Sequence, residues 1–130
     1  MAPETQERRS TETTILAISK DEAWLHFAKK TLRRTDEIRI LKDLAGISPL
    51  LDGRAGQTVV FISSELVPPK RKDFEQAIPS LEGLRVWVLR EPHDEHQRIN
   101  DKHLRQMGVE VADRPDNSKA MRRLIKIVFG

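Results

Sequence analysis

Thr58-Val59-Val60-Phe61-Ile62-Ser63-Ser64-Glu65-Leu66-Val67-Pro68-Pro69 is the stretch on which the fold turns. Residues 58–62 combine high β-propensity with no polar break, so both faces of the segment require burial. That pattern predicts a central strand of a parallel sheet, covered by helices on each side. The strand stops in two serines, an acid and a Pro pair. In open α/β sheets ligands and chemistry lie beyond the C-terminal ends of such strands, which puts Ser63 and Ser64 where a site would be.

Working outward, Thr14-Ile15-Leu16-Ala17-Ile18 reads as the first buried strand. Ser19 and Glu22 then have the spacing of a capping box, opening a helix to about Arg34 that turns Trp24, Leu25, Ala28 and Leu32 inward. Glu37 to Lys42 alternates polar and apolar residues, the pattern of a half-covered edge strand. A short helix is expected over 44–51 and another over 73–78. Leu84 to Leu89 is a largely apolar strand ended by Glu91-Pro92. A charged helix over 94–107, closed by Gly108, leads to the short alternating strand 109–112. The last helix carries Met121, Leu124, Ile125 and Val128 as one apolar stripe, with Lys119, Arg122, Arg123 and Lys126 on its outer face.

Composition sets the remaining bounds. A chain of 130 residues, 38% hydrophobic and 33% charged, describes one domain able to bury a single core. Residues 1–12 read as a flexible N-terminal arm and 13–130 as the domain. The absence of cysteine excludes disulfides, zinc-thiolate sites and thiol nucleophiles. No apolar run reaches membrane-spanning length and the first residues lack a signal-peptide core, so the expected location is cytoplasmic, with no membrane partner. A net charge of +3 argues only weakly for an acidic partner.

Five alternations of strand and helix imply a parallel sheet with right-handed crossovers. The first, third and fourth strands are apolar on both faces, hence central; the second and fifth alternate, hence edges. The expected fold is a flavodoxin-like, doubly wound (βα)5 sheet of strand order 2-1-3-4-5.

At residues 13–128 the chain resembles a response-regulator receiver domain. The resemblance rests on the five-fold strand–helix order, on Pro68 four residues beyond Ser64, and on the Arg114-Pro115 pair. It implies a site of two metal-binding acids, a phospho-accepting Asp, a hydroxyl residue and a Lys. Carried over residue by residue, the acids fall on Ser19 and Lys20, the acceptor on Ser64, the hydroxyl on Arg90 and the Lys on Arg114. The aromatic switch position falls on Val111. The scaffold matches and the chemistry does not: no acid pair remains for Mg²⁺ and Ser64 cannot form an acyl phosphate. The resemblance is therefore to a degenerate receiver, a pseudo-receiver, with no enzyme activity and no cofactor.

Sharper readings compete with plainer ones. Ser63 or Ser64 as a hydrolase nucleophile lacks the flanking Gly pattern and a positioned His. His93, His96 and His103 have one- and two-turn spacing but sit on a charged, exposed segment, so no metal is expected. Lys29, Lys30, Arg33 and Arg34, then Lys70, Arg71 and Lys72, and the last helix form basic sets in a chain with acids interspersed throughout, and no aromatic falls in the basic runs. A solvated face is preferred there to nucleic-acid binding. Arg90 and Arg114, with Lys20 nearby, form either ion pairs to Glu65, Glu91 and Asp113 or a basic mouth for an anion; pairing is the preferred reading. The expectation is a phosphorylation-independent module for protein–protein contact in signalling. By resemblance its partner surface is the fourth helix, fifth strand and fifth helix, with self-association as one option. An anion- or nucleotide-responsive domain is the alternative, and nucleic-acid binding the second alternative.

Overall fold

The computed structural model describes residues 13–32, 37–44, 57–78, 84–92, 94–95 and 97–129. Among them β1 (Thr13–Ile18) leads to α1 (Glu22–Thr31), β2 (Glu37–Leu41) and β3 (Gln57–Ser63). A 3-10 turn over Ser64–Leu66 precedes α2 (Arg71–Ala77) and β4 (Leu84–Arg90). The chain then forms α3 (Asp101–Gln106), β5 (Glu110–Asp113) and α4 (Ser118–Phe129). All strand pairs are parallel and their order is β2-β1-β3-β4-β5, the flavodoxin-like arrangement expected from the burial pattern.

Register explains why the central strands are apolar on both faces. Leu41, Ile18, Ile62, Val88 and Val111 stand in one row across all five strands, on the face that packs against α2 and α3. One residue earlier, Ala17, Phe61 and Trp87 form a row on the opposite face, against α1 and α4. Side chains alternate along a strand, so each strand feeds two cores. Each fully buried aliphatic side chain contributes about 1.5–3 kcal/mol. The sheet edge with its loops is thereby held by two layers rather than one.

Local signals place most ends. Gly108 takes φ +88 after α3, with Val109 N–H donating to the Leu104 carbonyl and Gly108 N–H to that of Arg105. This is a Schellman closure, in which Gly adopts the left-handed conformation without a Cβ penalty. At α4, Asn117 Oδ1 accepts from Ala120 N–H.

Three expectations change. The cap of α1 is Asp21, whose Oδ1 accepts from Trp24 N–H, while Ser19 Oγ accepts from Asp21 N–H. The Ser19–Glu22 capping box does not form, because Ser19 lies in the strand exit and Glu22 pairs with Lys42. The helix expected over 94–107 is confined to Asp101–Gln106, capped by Asn100. Residues 97–100 lack regular structure because Ile99 is drawn into the core, 4% exposed, with its N–H on the Pro68 carbonyl. In β2, Ile40 is 42% exposed rather than turned inward, since an outer strand has a neighbour on one side only. The helix expected over 44–51 lies, apart from Leu44, outside the described residues.

Candidate functional site

The C-terminal ends of β1, β3, β4 and β5 converge on a layer of polar side chains. Ser19, Ser63 and Ser64 are completely buried there, at or just past the ends of strands whose preceding four residues are apolar. Glu91 follows β4, and Pro92 restricts its backbone to extended conformations. Its Oε1 accepts from Ser63 Oγ and, at 3.1 Å, from Glu65 N–H. Its own N–H donates to Ser64 Oγ at 3.1 Å. One residue thus satisfies three groups at the end of β3, two of them on buried serines.

Arg114 closes the other side. Its guanidinium lies 3.1 Å from Asp21 Oδ2, 3.0 Å from Asp116 Oδ1 and 4.0 Å from Glu91 Oε2. It also stacks 5.8 Å from the Trp24 ring centroid. The Trp24 indole N–H donates to the Pro115 carbonyl at 2.8 Å, so α1 and the loop after β5 are tied twice. The Arg114 side chain is only 12% exposed, which makes these charge-assisted contacts count for more than surface pairs.

Arg90 belongs to a second cluster. Its guanidinium meets Asp101 Oδ2 at 3.2 Å and the exposed Asp113 at 3.3 Å. The other oxygen of Asp101 accepts from Arg98 at 2.8 Å, and Arg98 also holds Asp94 at 3.0 Å and the Ile99 carbonyl at 3.1 Å. Burial of Arg98 works against its charge. The hydrogen bonds and charges of Asp101 and Asp94 outweigh this and raise its pKa above the ordinary arginine value. Two arginines sharing Asp101 fasten the irregular stretch before α3 to the end of β4.

The mapped positions therefore separate. Ser19, Ser64 and Arg114 lie in the Glu91 network or against it, and Arg90 joins the Arg98 cluster. Lys20 is exposed and reaches the network through its backbone, whose N–H donates to Glu65 Oε1 at 3.1 Å. Val111 is buried in the second core, 9% exposed. Lys119, Arg122, Arg123 and Lys126 are exposed on α4 and form no ion pair with the described residues of this network. A buried hydroxyl such as that of Ser63 or Ser64 has no path to an electrophile. Among the described residues no group of three or more His, Cys, Asp or Glu is placed to hold a metal ion. His103 is exposed on α3, and His93 and His96 lie outside the described residues.

No protein-family model, curated protein or solved structure matches the chain. Its reading rests on its own residues. Among the described residues no helix is long and apolar enough to cross a membrane. The expected pairing of the two arginines is found for Arg114 with Glu91 and for Arg90 with Asp113. Sequence reasoning missed the role of Glu91 as acceptor for Ser63 and Glu65, and it missed Arg98, hidden in an apparently exposed helix. For Glu91 the one local sign is the following proline; for Arg98 it is the Asp94 and Asp101 spacing at i−4 and i+3.

Proposed function

We propose that this domain is a non-catalytic, receiver-like contact module, a pseudo-receiver working in cytoplasmic signalling or regulation through protein partners, in a state not set by aspartyl phosphorylation. The observation that carries it is the Glu91 carboxylate seated over the end of β3, bound to Ser63 and Glu65 and facing Arg114. A phosphoryl group arriving there would meet a fixed negative charge, a serine in place of an accepting acid, and Ser19 and Lys20 in place of a metal-binding pair. The contact surface of the proposal includes the outer side of α4, with Lys119, Arg122, Arg123 and Lys126, continuing over β5 towards α3.

Chemistry favours this over an anion-responsive mouth. The carboxylates on Arg90 and Arg114 belong to the same chain, so a free anion competes with tethered partners at high effective concentration. Treatment with acetyl phosphate or beryllofluoride plus Mg²⁺ is expected to give no mass shift and no widespread change in the amide NMR spectrum. An acid-labile adduct would refute the proposal. Saturable stabilisation by sulfate, lost in Arg114→Ala, would favour the anion reading instead.

A further inference from the structure

The two helical layers differ in charge. α1 and α4 bury their apolar stripes in one core, on one face of the sheet. Outward they expose Lys29, Lys30, Lys119, Arg122, Arg123 and Lys126. Glu22 is the single acid along both helices, and it is taken by Lys42. None of the six cations forms an ion pair with a described residue, whereas Arg90, Arg98 and Arg114 each hold at least two carboxylates. On the other face, α2 and α3 mix acids and bases: Asp73, Glu75 and Asp101 stand among Arg71, Lys72, Lys102 and Arg105.

Acids are not scarce in a chain of net charge +3; they are placed elsewhere. Unpaired like charges on one face repel each other, a cost that a partner of opposite charge relieves. Lys119, Arg122, Arg123, Lys126 and Ile127 also follow one another at i, i+3, i+4, i+7 and i+8, so they form a continuous outer stripe on α4. Ile127 is 65% exposed, the most exposed large apolar residue among those described.

We infer that the α1–α4 face docks an acidic segment of a partner protein, whose carboxylates meet the six cations while an apolar side chain seats on Ile127. This builds on the contact-module reading and names the chemistry of its partner. A phosphate backbone offers nothing apolar to Ile127; Trp24 is buried, and Phe27 and Phe129 are partly buried against the same core, so none of these helices' aromatics is exposed as a stacking platform for bases. A single exposed isoleucine is too small an apolar surface for lipid insertion.

The test titrates the isotope-labelled protein with a synthetic peptide of glutamate pairs separated by leucines, and in parallel with a DNA duplex and phosphatidylserine vesicles. Saturable, salt-sensitive shifts at Lys29, Lys30, Arg122, Arg123, Lys126 and Ile127 are expected with the peptide. Arg122→Glu combined with Lys126→Glu should weaken binding by about tenfold or more, and Ile127→Ser by about tenfold, both with unchanged melting temperature. No saturable peptide binding, or shifts confined to other faces, would overturn the inference. So would tighter binding of DNA or vesicles that is indifferent to Ile127→Ser. Such a failure, with the phosphorylation assay still silent, removes the acidic partner alone; an acid-labile adduct removes the module reading whatever the peptide does.

Discussion

Removing the Glu91 side chain isolates what the carboxylate does at the end of β3. In Glu91→Ala the buried Ser63 hydroxyl and the Glu65 amide both lose their acceptor, while the backbone bond from residue 91 to Ser64 Oγ stays. A buried donor left without a partner costs about 1–3 kcal/mol, and the hydroxyl can rotate where the amide cannot. The expected loss is therefore about 2–4 kcal/mol, a large share of a small domain's stability. Glu91→Gln separates hydrogen bonding from charge. Both donors use the same oxygen, Oε1, which an amide oxygen replaces, and Arg114 keeps Asp21 and Asp116. Its cost should be about 1 kcal/mol or less. Urea unfolding followed by circular dichroism reads both variants as shifts in midpoint at constant slope. A Ser63→Ala and Glu91→Ala double-mutant cycle should return a coupling of about 1–2 kcal/mol. Glu91→Ala within about 0.5 kcal/mol of the parent, or Gln as damaging as Ala, would refute the reasoning.

Two further outcomes are expected. Trp87→Ala empties the row shared with Ala17 and Phe61 and should cost about 3–5 kcal/mol by calorimetry or urea unfolding; a loss under about 1 kcal/mol would mean the core closes over the gap. For the exposed Glu22–Lys42 pair, the hydrogen bond to Lys42 lowers the Glu22 pKa, and the same bond raises that of Lys42. The Glu22 contribution is present above its ordinary value of 4.5 and lost as pH falls through the lowered one. The Lys42 contribution is complete below 10.5 and lost as pH rises through the raised value. Melting temperature against pH should therefore show a small extra fall at both extremes that Glu22→Gln removes, and an unchanged profile would show the pair to be energetically silent.

The sequence by itself determined the architecture, because burial on both faces of a strand is written in consecutive residues. Residues 58–62 had to be central, and residues 14–18 and 84–89 likewise, which leaves β2 and β5 for the edges. Gly108 and the apolar stripe of α4 were legible for the same reason: a cap or a helical face is set within one or two turns of chain. Partnership across the sheet edge was legible only in part: pairing of Arg114 with Glu91 and of Arg90 with Asp113 was expected, that with Asp21, Asp116 and Asp101 was not. Arg114 and Asp21 are 93 residues apart, and Glu91 is 28 from Ser63. Which carboxylate meets which guanidinium depends on which strand ends converge, a consequence of strand order and register that no local period encodes. Ile99 likewise left its expected helix because the core and the Pro68 carbonyl outweighed local helical preference. The gathering on α1 and α4 of cations that form no ion pair with a described residue is of the same kind. The scarcity of acids along each helix is written in the sequence, but only the packing of the first and last helices onto one face of the sheet brings the two sets of cations together.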